Sequence, residues 1–420
     1  MDWQRLKADV IAYAKAIGID KIGFAAADPF VELKARLIEH RRKGYESGFE
    51  EPDLDKRTDP SRSLPDARSL IAVAMAYPSR MDSPPKSAPG AYRGILCRAA
   101  WGEDYHVVLR ERLERLAAFL RSRVPDARCV VMVDTGPLVD RAVAERAGLG
   151  WVGKNTALIT PEFGSWVYLG ELVTNLPFPP DTPVTEQCGD CTACLDACPT
   201  GALVGPGQLN SQACLAYLTQ VKTPIPEPFR DKLGNRLYGC DTCQVVCPHN
   251  RKKHADHHPE FRPDPEVAKP LLKPLLFMGK KAFQQRFGRS SAAWRGKKPL
   301  QRNAILALAH FRDASAIPDL LTLAERDEWP VIRGAAAWAL GKIGAAVDEK
   351  TRAGLQEALA SLAAREPDEE VRRELRRALD RLTKAAATVM GRSANRDAAK
   401  NGAPRGTDLF EERTERRNRP

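Results

Sequence analysis

The sequence predicts an α+β chain in three parts: a mixed α/β N-terminal domain, a cysteine-rich module and a C-terminal array of helical repeats. Three observations predict it. Short apolar runs alternate with helical periodicities over about the first 180 residues, and eight of the ten cysteines lie between Cys188 and Cys247. From about Leu300 onward an Arg-led, alanine- and leucine-rich helical pattern recurs.

Composition narrows the function classes. At about 100–200 residues per domain, 420 residues provide for two to four domains. The 65 basic and 54 acidic side chains leave a net charge of +11, which favours an anionic partner. The longest apolar run, Leu70 to Tyr77, is far short of the ~20 residues needed to span a bilayer. The N-terminus is amphipathic and lacks the apolar core of a secretory signal. The expectation is a cytoplasmic protein without membrane association, whose reduced thiols bind metal.

The elements follow in order. Asp2 to Gly18 has helical spacing, and KIGFAAA at Lys21 suits a strand. SLIAVAMAYP and RCVVMVDTGP read as buried strands stopped by proline turns. EDYHVVLRERLERLAAFLRSRV between them is helical with its charges outward. LVDRAVAERAGLG is a second helix ending at Gly148 and Gly150, and SWVYLGELVTN returns to strand character. Residues 1–177 thus form one domain, and the connector LPFPPDTP leads into a module at 178–258. Residues 259–299 read as a basic, proline-rich connector. Over 300–385, QRNAILALAHF, VIRGAAAWALGKIG and EVRRELRRALDRL recur every 30–40 residues in a pattern resembling HEAT repeats, with an ordinary helical bundle as the alternative. Residues 386–420 lack periodicity and read as a disordered tail.

The cysteine spacing decides the chemistry. Cys188-x-x-Cys191-x-x-Cys194-x-x-x-Cys198-Pro199 is the run that wraps three thiolates around one cubane and sends the fourth to another. A truncated copy follows as Cys240-x-x-Cys243-x-x-x-Cys247-Pro248, with Leu237 where its first cysteine belongs. Cys214 is the remaining cysteine of the window and completes eight ligands. The crossed arrangement puts Cys188, Cys191, Cys194 and Cys247 on one [4Fe–4S] cluster and Cys198, Cys214, Cys240 and Cys243 on the other, a ferredoxin-like two-cluster module. Two Cys₄ zinc sites are the alternative, but zinc ribbons need neither the triplets nor the Cys-Pro pairs. Two cubanes carry electrons one at a time and need a reaction centre nearby to do substrate chemistry. Neither a dinucleotide glycine fingerprint, a phosphate loop nor an HExxH site appears. The upstream domain must either house that centre or dock a partner, and the expectation is a non-dinucleotide organic or metal cofactor.

The order of motifs then becomes recognisable. KRTDPSRSLPDARSL, GEDYHVVL, VDTGPLVDRAVAERAGLGWVGKNT, the cysteine runs, YLTQVK and YGCDTCQVVCPHN, followed by the helical repeats, resemble the epoxyqueuosine reductase family, related to reductive dehalogenases. The resemblance extends over about residues 1–385. It implies a nitroreductase-like α/β domain that binds cob(II)alamin, two [4Fe–4S] clusters and a HEAT-like tRNA-binding domain. The implied reaction removes the epoxide oxygen of epoxyqueuosine at the tRNA wobble position, with electrons from an external low-potential donor and the chain acting as a monomer.

The resemblance also assigns residues. Asp134 matches the proton donor, and its place after a buried strand suggests that burial raises its pKa, although an Asp before Thr-Gly-Pro also suits an Asx-turn. Arg57 and Cys97 match cobalamin contacts; Lys154, Asn155 and Thr156 are further candidates for the corrin amides; Arg141 and Lys222 are candidates for the tRNA nucleotide. Asp104-Tyr105-His106 begins like a cobalt-ligating motif, but Leu109 replaces its glycine, which leaves His106 to packing or hydrogen bonding. His254, His257 and His258 are a cluster that could bind a metal, but they read as a charged, solvated loop. From Gly279 to Arg302 the bases Lys280, Lys281, Arg286, Arg289, Arg295, Lys297, Lys298 and Arg302 occur without an acid, around Trp294, and suit phosphate contacts and base stacking. The alternative is a basic linker docked on an acidic part of the same chain. Two other functions compete: a small-molecule corrinoid reductase, and an electron carrier on a helical scaffold.

Overall fold

The structure, a computed structural model, describes the backbone of residues 1–401 and the side chains through residue 387. The N-terminal domain runs α1 (Trp3–Ala16), β1 (Lys21–Ala26), α2 (Val31–Arg42), α3 (Leu54–Thr58), β2 (Ser69–Ala76), α4 (Tyr105–Arg123), β3 (Cys129–Met132), α5 (Asp140–Arg146) and β4 (Val167–Thr174). The Asp2 carboxylate caps α1 by accepting the N–H groups of Gln4 and Arg5. These four strands form one antiparallel sheet in the order β1-β2-β4-β3. β2 is buried at every position because helices cover both faces of the sheet, so its run SLIAVAMA shows no alternation. Phe24, Ile71 and Val73 pack with Leu109, Leu113 and Leu116 of α4 on one face. Ala72 and Ala74 pack with Leu138, Val143 and Ala144 around α5 on the other. Gly23 lets α5 close onto the sheet, since a Cβ there would lie 2.0 Å from the Ala147 carbonyl.

The cysteine module is mostly loop, with one-turn helices α6 (Ala193–Asp196), α7 (Leu215–Leu218) and α8 (Thr242–Val245). A parallel pairing of Ile95–Leu96 with Arg236–Tyr238 stitches it to the first domain. The repeats comprise α9 (Lys297–Phe311), α10 (Ile317–Arg326), α11 (Pro330–Gly344), α12 (Glu349–Arg365) and α13 (Glu369–Asn401), with α11 packed against α9, α10 and α13.

Two expectations are corrected. Residues 259–299 are more than a basic, proline-rich connector: they contain helices Pro265–Ala268, Lys273–Leu276 and Lys280–Phe287. Leu272, Leu276, Phe283 and Phe287 enter one core with Leu218 of α7 and Leu300, Ala304 and Leu308 of α9. These apolar side chains face inward, while Phe277, Trp294 and most of the basic side chains reach the surface. The tail expected to be disordered from residue 386 begins as helix, because α13 continues to Asn401 and no proline interrupts it before Pro404; residues 402–420 lie outside the described residues. Among the described residues, no helix is long and apolar enough to cross a membrane.

Candidate active site and cluster sites

Cys188, Cys191, Cys194 and Cys247 line one cavity together with Lys154, Asn155 and His249. Lys154 Nζ donates to the carbonyls of Gly189 (2.5 Å) and Cys191 (3.1 Å), tying the GKNT loop to the cysteine loop. Asn155 Nδ2 is buried without a partner, and the sulfur atoms of a cluster are acceptors such a donor suits. Lys154 and Asn155, expected on the corrin, thus turn toward the first cysteine set instead. Thr156 holds the turn at φ +67°. In the second set, burial and the neighbouring Cys240, Cys214, Cys194 and Cys198 push the Cys243 thiol up to about 12. Burial and then Cys240 and Cys198 raise Cys214 as well. Cys214 therefore lies with Cys198, Cys240 and Cys243, while Leu237 is wholly buried in apolar core.

Asp134 leaves β3 with a left-handed φ of +52° and opens the loop to α5. Its backbone N–H donates to Asp140 Oδ2 at 2.8 Å. Its Oδ2 accepts the Tyr105 hydroxyl at 2.7 Å and lies 3.4 Å from His106 Nε2, while His106 Nδ1 lies 2.7 Å from Asp104 Oδ1. Tyr105 and His106 are brought there by the first turn of α4, which Asp104 caps. Tyr105 stacks on Tyr168 at 4.5 Å, and Tyr168 packs on Tyr77 at 4.4 Å. The Tyr77 hydroxyl reaches to 3.5 Å of Gln244 Oε1, beside Cys243.

The electrostatics correct the expectation for Asp134. The His106 hydrogen bond, reinforced by Tyr105 and opposed by burial, holds its carboxyl below the ordinary value; the side chain remains 64% exposed. Burial pulls His106 down, but Asp104 and Asp134 raise it to about 9, so at neutral pH the pair's proton resides on the imidazole. His106 is therefore a hydrogen-bonding member of the site rather than a packing residue. Burial, then the charge of Asp134, pushes Asp140 up to about 7. Glu171 of β4 is raised further by burial and by both aspartates. Sequence reasoning missed Tyr105, Asp140 and Glu171. An acid inside the apolar run VYLGELVT was the available clue.

The Arg57 and Arg141 guanidiniums form no hydrogen bond or ion pair among the described residues. Burial lowers the pKa of both, and for Arg141, which itself remains exposed, the charge of Arg57 adds to it. Cys97 lies against Gly239, whose Cβ would sit 2.3 Å from its Sγ; burial, Asp241 and Cys240 keep its thiol protonated. The basic stretch is largely engaged within the chain. Arg286 pairs with Glu266 (3.3 Å), Arg289 with Glu103 and Lys298 with Asp327 (2.9 Å), and Lys297 Nζ donates to the Met278 carbonyl (2.8 Å). Arg302 is only 1% exposed and bonds backbone carbonyls, so it is no phosphate contact. Lys222, Arg295 and Lys298 do line an open cleft beside Trp329. Arg295 stacks over Phe49 and Trp294 at 4.8 Å each, and Trp294 is 52% exposed. The histidine loop is not simply solvated, because His257 and His258 each approach Asp20 to 2.7 Å and His258 is buried.

Two four-cysteine sites, joined by an aromatic column to a charged imidazole and clustered carboxyls, define an iron–sulfur oxidoreductase. The comparisons with known proteins identify which one. Residues 187–250 match the 4Fe-4S double cluster binding domain, 295–380 match HEAT repeats, and 57–135 match the family described as Epoxyqueuosine reductase QueG, DUF1730. The chain is 59% identical over 382 residues to the epoxyqueuosine reductase of Bacillus cereus, covering 91% of this chain and 99% of that one. It is 56% identical over 393 residues to that of Bacillus subtilis, covering 94% and 100%. It belongs to the epoxyqueuosine reductase family. A crystal structure of epoxyqueuosine reductase with an epoxyqueuosine-modified tRNA-Tyr stem loop matches at 57% identity and a TM-score of 0.88, covering 91% of this chain and 100% of that one. The Bacillus subtilis enzyme with its Asp134 catalytic loop swung out of the active site matches at 56% and 0.87, covering 90% and 100%.

Proposed function

We propose that this chain reduces epoxyqueuosine to queuosine at the wobble position of tRNA, in the cytoplasm and as a monomer, with Asp134 delivering a proton to the epoxide oxygen. The observation that carries the proposal is the grip on Asp134: a tyrosine hydroxyl and a charged imidazole hold its exposed carboxylate. A substrate covering that exposed carboxyl would displace water and raise its pKa, drawing the His106 proton onto Asp134 as the epoxide opens. Electrons from an external low-potential donor would enter through Cys188, Cys191, Cys194 and Cys247 on one cluster and Cys198, Cys214, Cys240 and Cys243 on the other. The aromatic column from Gln244 to Tyr105 leads from the second of these to Asp134.

Cobalamin fits the donor set of the N-terminal domain. Arg57 and Arg141 carry guanidiniums without partners among the described residues, suited to the amides and phosphate of a corrinoid nucleotide, and Arg141 lies within the electrostatic reach of Asp134. Cys97, Asp134 and Thr156 complete the proposed contacts, with Lys154 and Asn155 bridging to the first cluster. Cobalamin would supply a strongly nucleophilic, low-potential cobalt. The tRNA backbone would lie along Lys222, Arg295, Lys297 and Lys298, with Arg141 at the modified nucleotide and Arg286 and Arg289 at the periphery once their surface ion pairs yield. The test is anaerobic reconstitution with iron, sulfide and cobalamin, followed by reaction with epoxyqueuosine-containing tRNA and a strong reductant. Failure of the fully loaded protein to form queuosine overturns the proposal.

A further inference from the structure

Reducing an epoxide to an alkene breaks both C–O bonds, joins the carbons by a double bond and releases the oxygen as water. The balance is two electrons and two protons. The electrons come from the low-potential donor through the clusters, and one proton resides on the His106–Asp134 pair. The second proton has no donor in that account.

Two carboxyls beneath Asp134 have no role in it either. Asp140 Oδ2 accepts the Asp134 N–H at 2.8 Å. Glu171 is 1% exposed, pairs in register with Ala72 of β2 and Met132 of β3, and has Oε1 without a hydrogen-bond partner. The sheet face around it is apolar, formed by Ala25 of β1, Ala72 and Ala74 of β2, Met132 of β3 and Leu138 and Val143 around α5. An ionised carboxylate there would be a bare charge in the core, so Glu171 holds a proton. The ionisable groups facing the pair are Asp134 and Arg141, with Tyr105 from α4. Burial and the charge of Asp134 place the titration of Asp140 at about 7.

We propose that Asp140 and Glu171 together store the second proton and that Asp140 hands it to Asp134. The inference rests on the reading of Asp134 as proton donor. Asp134 protonates the oxygen as the first C–O bond opens. Asp140 then reprotonates Asp134, which delivers the second proton as the oxygen leaves as water. The Asp140 carboxylate then shares the Glu171 proton, which keeps the single negative charge toward Asp140 and off the apolar face, and the pair recovers a proton through Asp140 from solvent at the exposed Asp134.

Asp140→Asn separates storage from positioning, because the amide oxygen still accepts the Asp134 N–H but carries no transferable proton. In the reconstituted holoenzyme this variant is expected to lose about tenfold or more in kcat with KM for the tRNA stem loop unchanged. The wild-type kcat falls as pH rises through about 7, where Asp140 loses its proton, and that limb should vanish from the variant's profile. Glu171→Gln should reproduce the kcat loss and remove a protonated-carboxylic-acid carbonyl band from the infrared difference spectrum of the resting protein. Iron content and thermal unfolding report whether each variant is folded. Wild-type kcat and pH profile in Asp140→Asn, with Asp134→Asn inactive, would refute the store and leave the Asp134 reading standing. Activity in Asp134→Asn would instead sink that reading. If Asp140→Asn does not fold, Glu171→Gln decides: loss of the infrared band together with the kcat loss supports the store, and persistence of the band or of wild-type kcat overturns it.

Discussion

Replacing Arg302 tests whether the basic stretch serves the fold or the nucleic acid. Its guanidinium donates to the carbonyls of Val221 (2.7 Å), Thr223 (2.5 Å) and Leu218 (2.9 Å), and to Asn303 Oδ1. It thereby ties α9 of the repeats to the segment that follows the Cys214 helix. Arg302→Gln leaves those three carbonyls without their donor, at roughly 1–3 kcal/mol each. Part of this is offset because a buried cation no longer has to be desolvated, a penalty visible in its pKa pulled down to about 9 by burial and then Arg230. The net expected loss is about 3–5 kcal/mol. At 1.4 kcal/mol per tenfold, that is about two to three and a half decades of faster local opening. Hydrogen exchange of the amides at residues 215–223 reads it directly, with binding of a tRNA stem loop measured across a salt series alongside. Unchanged exchange with a salt slope smaller by about one would show Arg302 to be a phosphate contact and refute the structural role.

Three further outcomes are expected. Cys214→Ala should lower bound iron from about eight to about four per chain; iron staying near eight would remove Cys214 from the ligand set. His106 is raised from its ordinary 6.5 to about 9, so its ion pairs with Asp104 and Asp134 contribute stability in full below about 6.5 and lose it as pH rises through about 9. Wild type should therefore show a fall in Tm across that window that His106→Gln lacks, and identical profiles would contradict the assignment. Gly239→Ala should drive Cys97 from its place, since the new Cβ would lie 2.3 Å from Sγ at a φ of +70°. Faster alkylation of Cys97 by a thiol reagent is the readout, and unaltered reactivity would be evidence against the packing described.

The cysteine sets were legible because cubane ligation is written in local spacing, and Cys214 emerged from counting alone. The principal strands and helices of the first domain were legible for a similar reason, since each carries its own periodicity. The basic stretch was not. The acids that neutralise it, Glu103, Glu266 and Asp327, are separated from it in sequence, and the short helices over 265–287 present too few turns for their apolar spacing to stand out. The pKa of Asp134 was misjudged because its environment comes from elsewhere: α4 supplies Tyr105 and His106, and their hydrogen bonds outweigh burial.

Asp134 stands where the two faces of the sheet meet. It follows β3, the edge strand, so side chains from either face can reach it. From the α4 face come Tyr105 and His106, backed by the tyrosine column that leads to the cluster module. From the α5 face comes Asp140, with Glu171 behind it in an apolar layer. The central strand β4 supplies both sides, Tyr168 to the aromatic column and Glu171 to the carboxyls, three residues apart and so on opposite faces. One strand thus separates the route proposed for electrons from the store proposed for protons. Inserting a residue into β4 between Tyr168 and Glu171 would turn one of the two side chains to the wrong face, and no single side-chain replacement elsewhere would restore both.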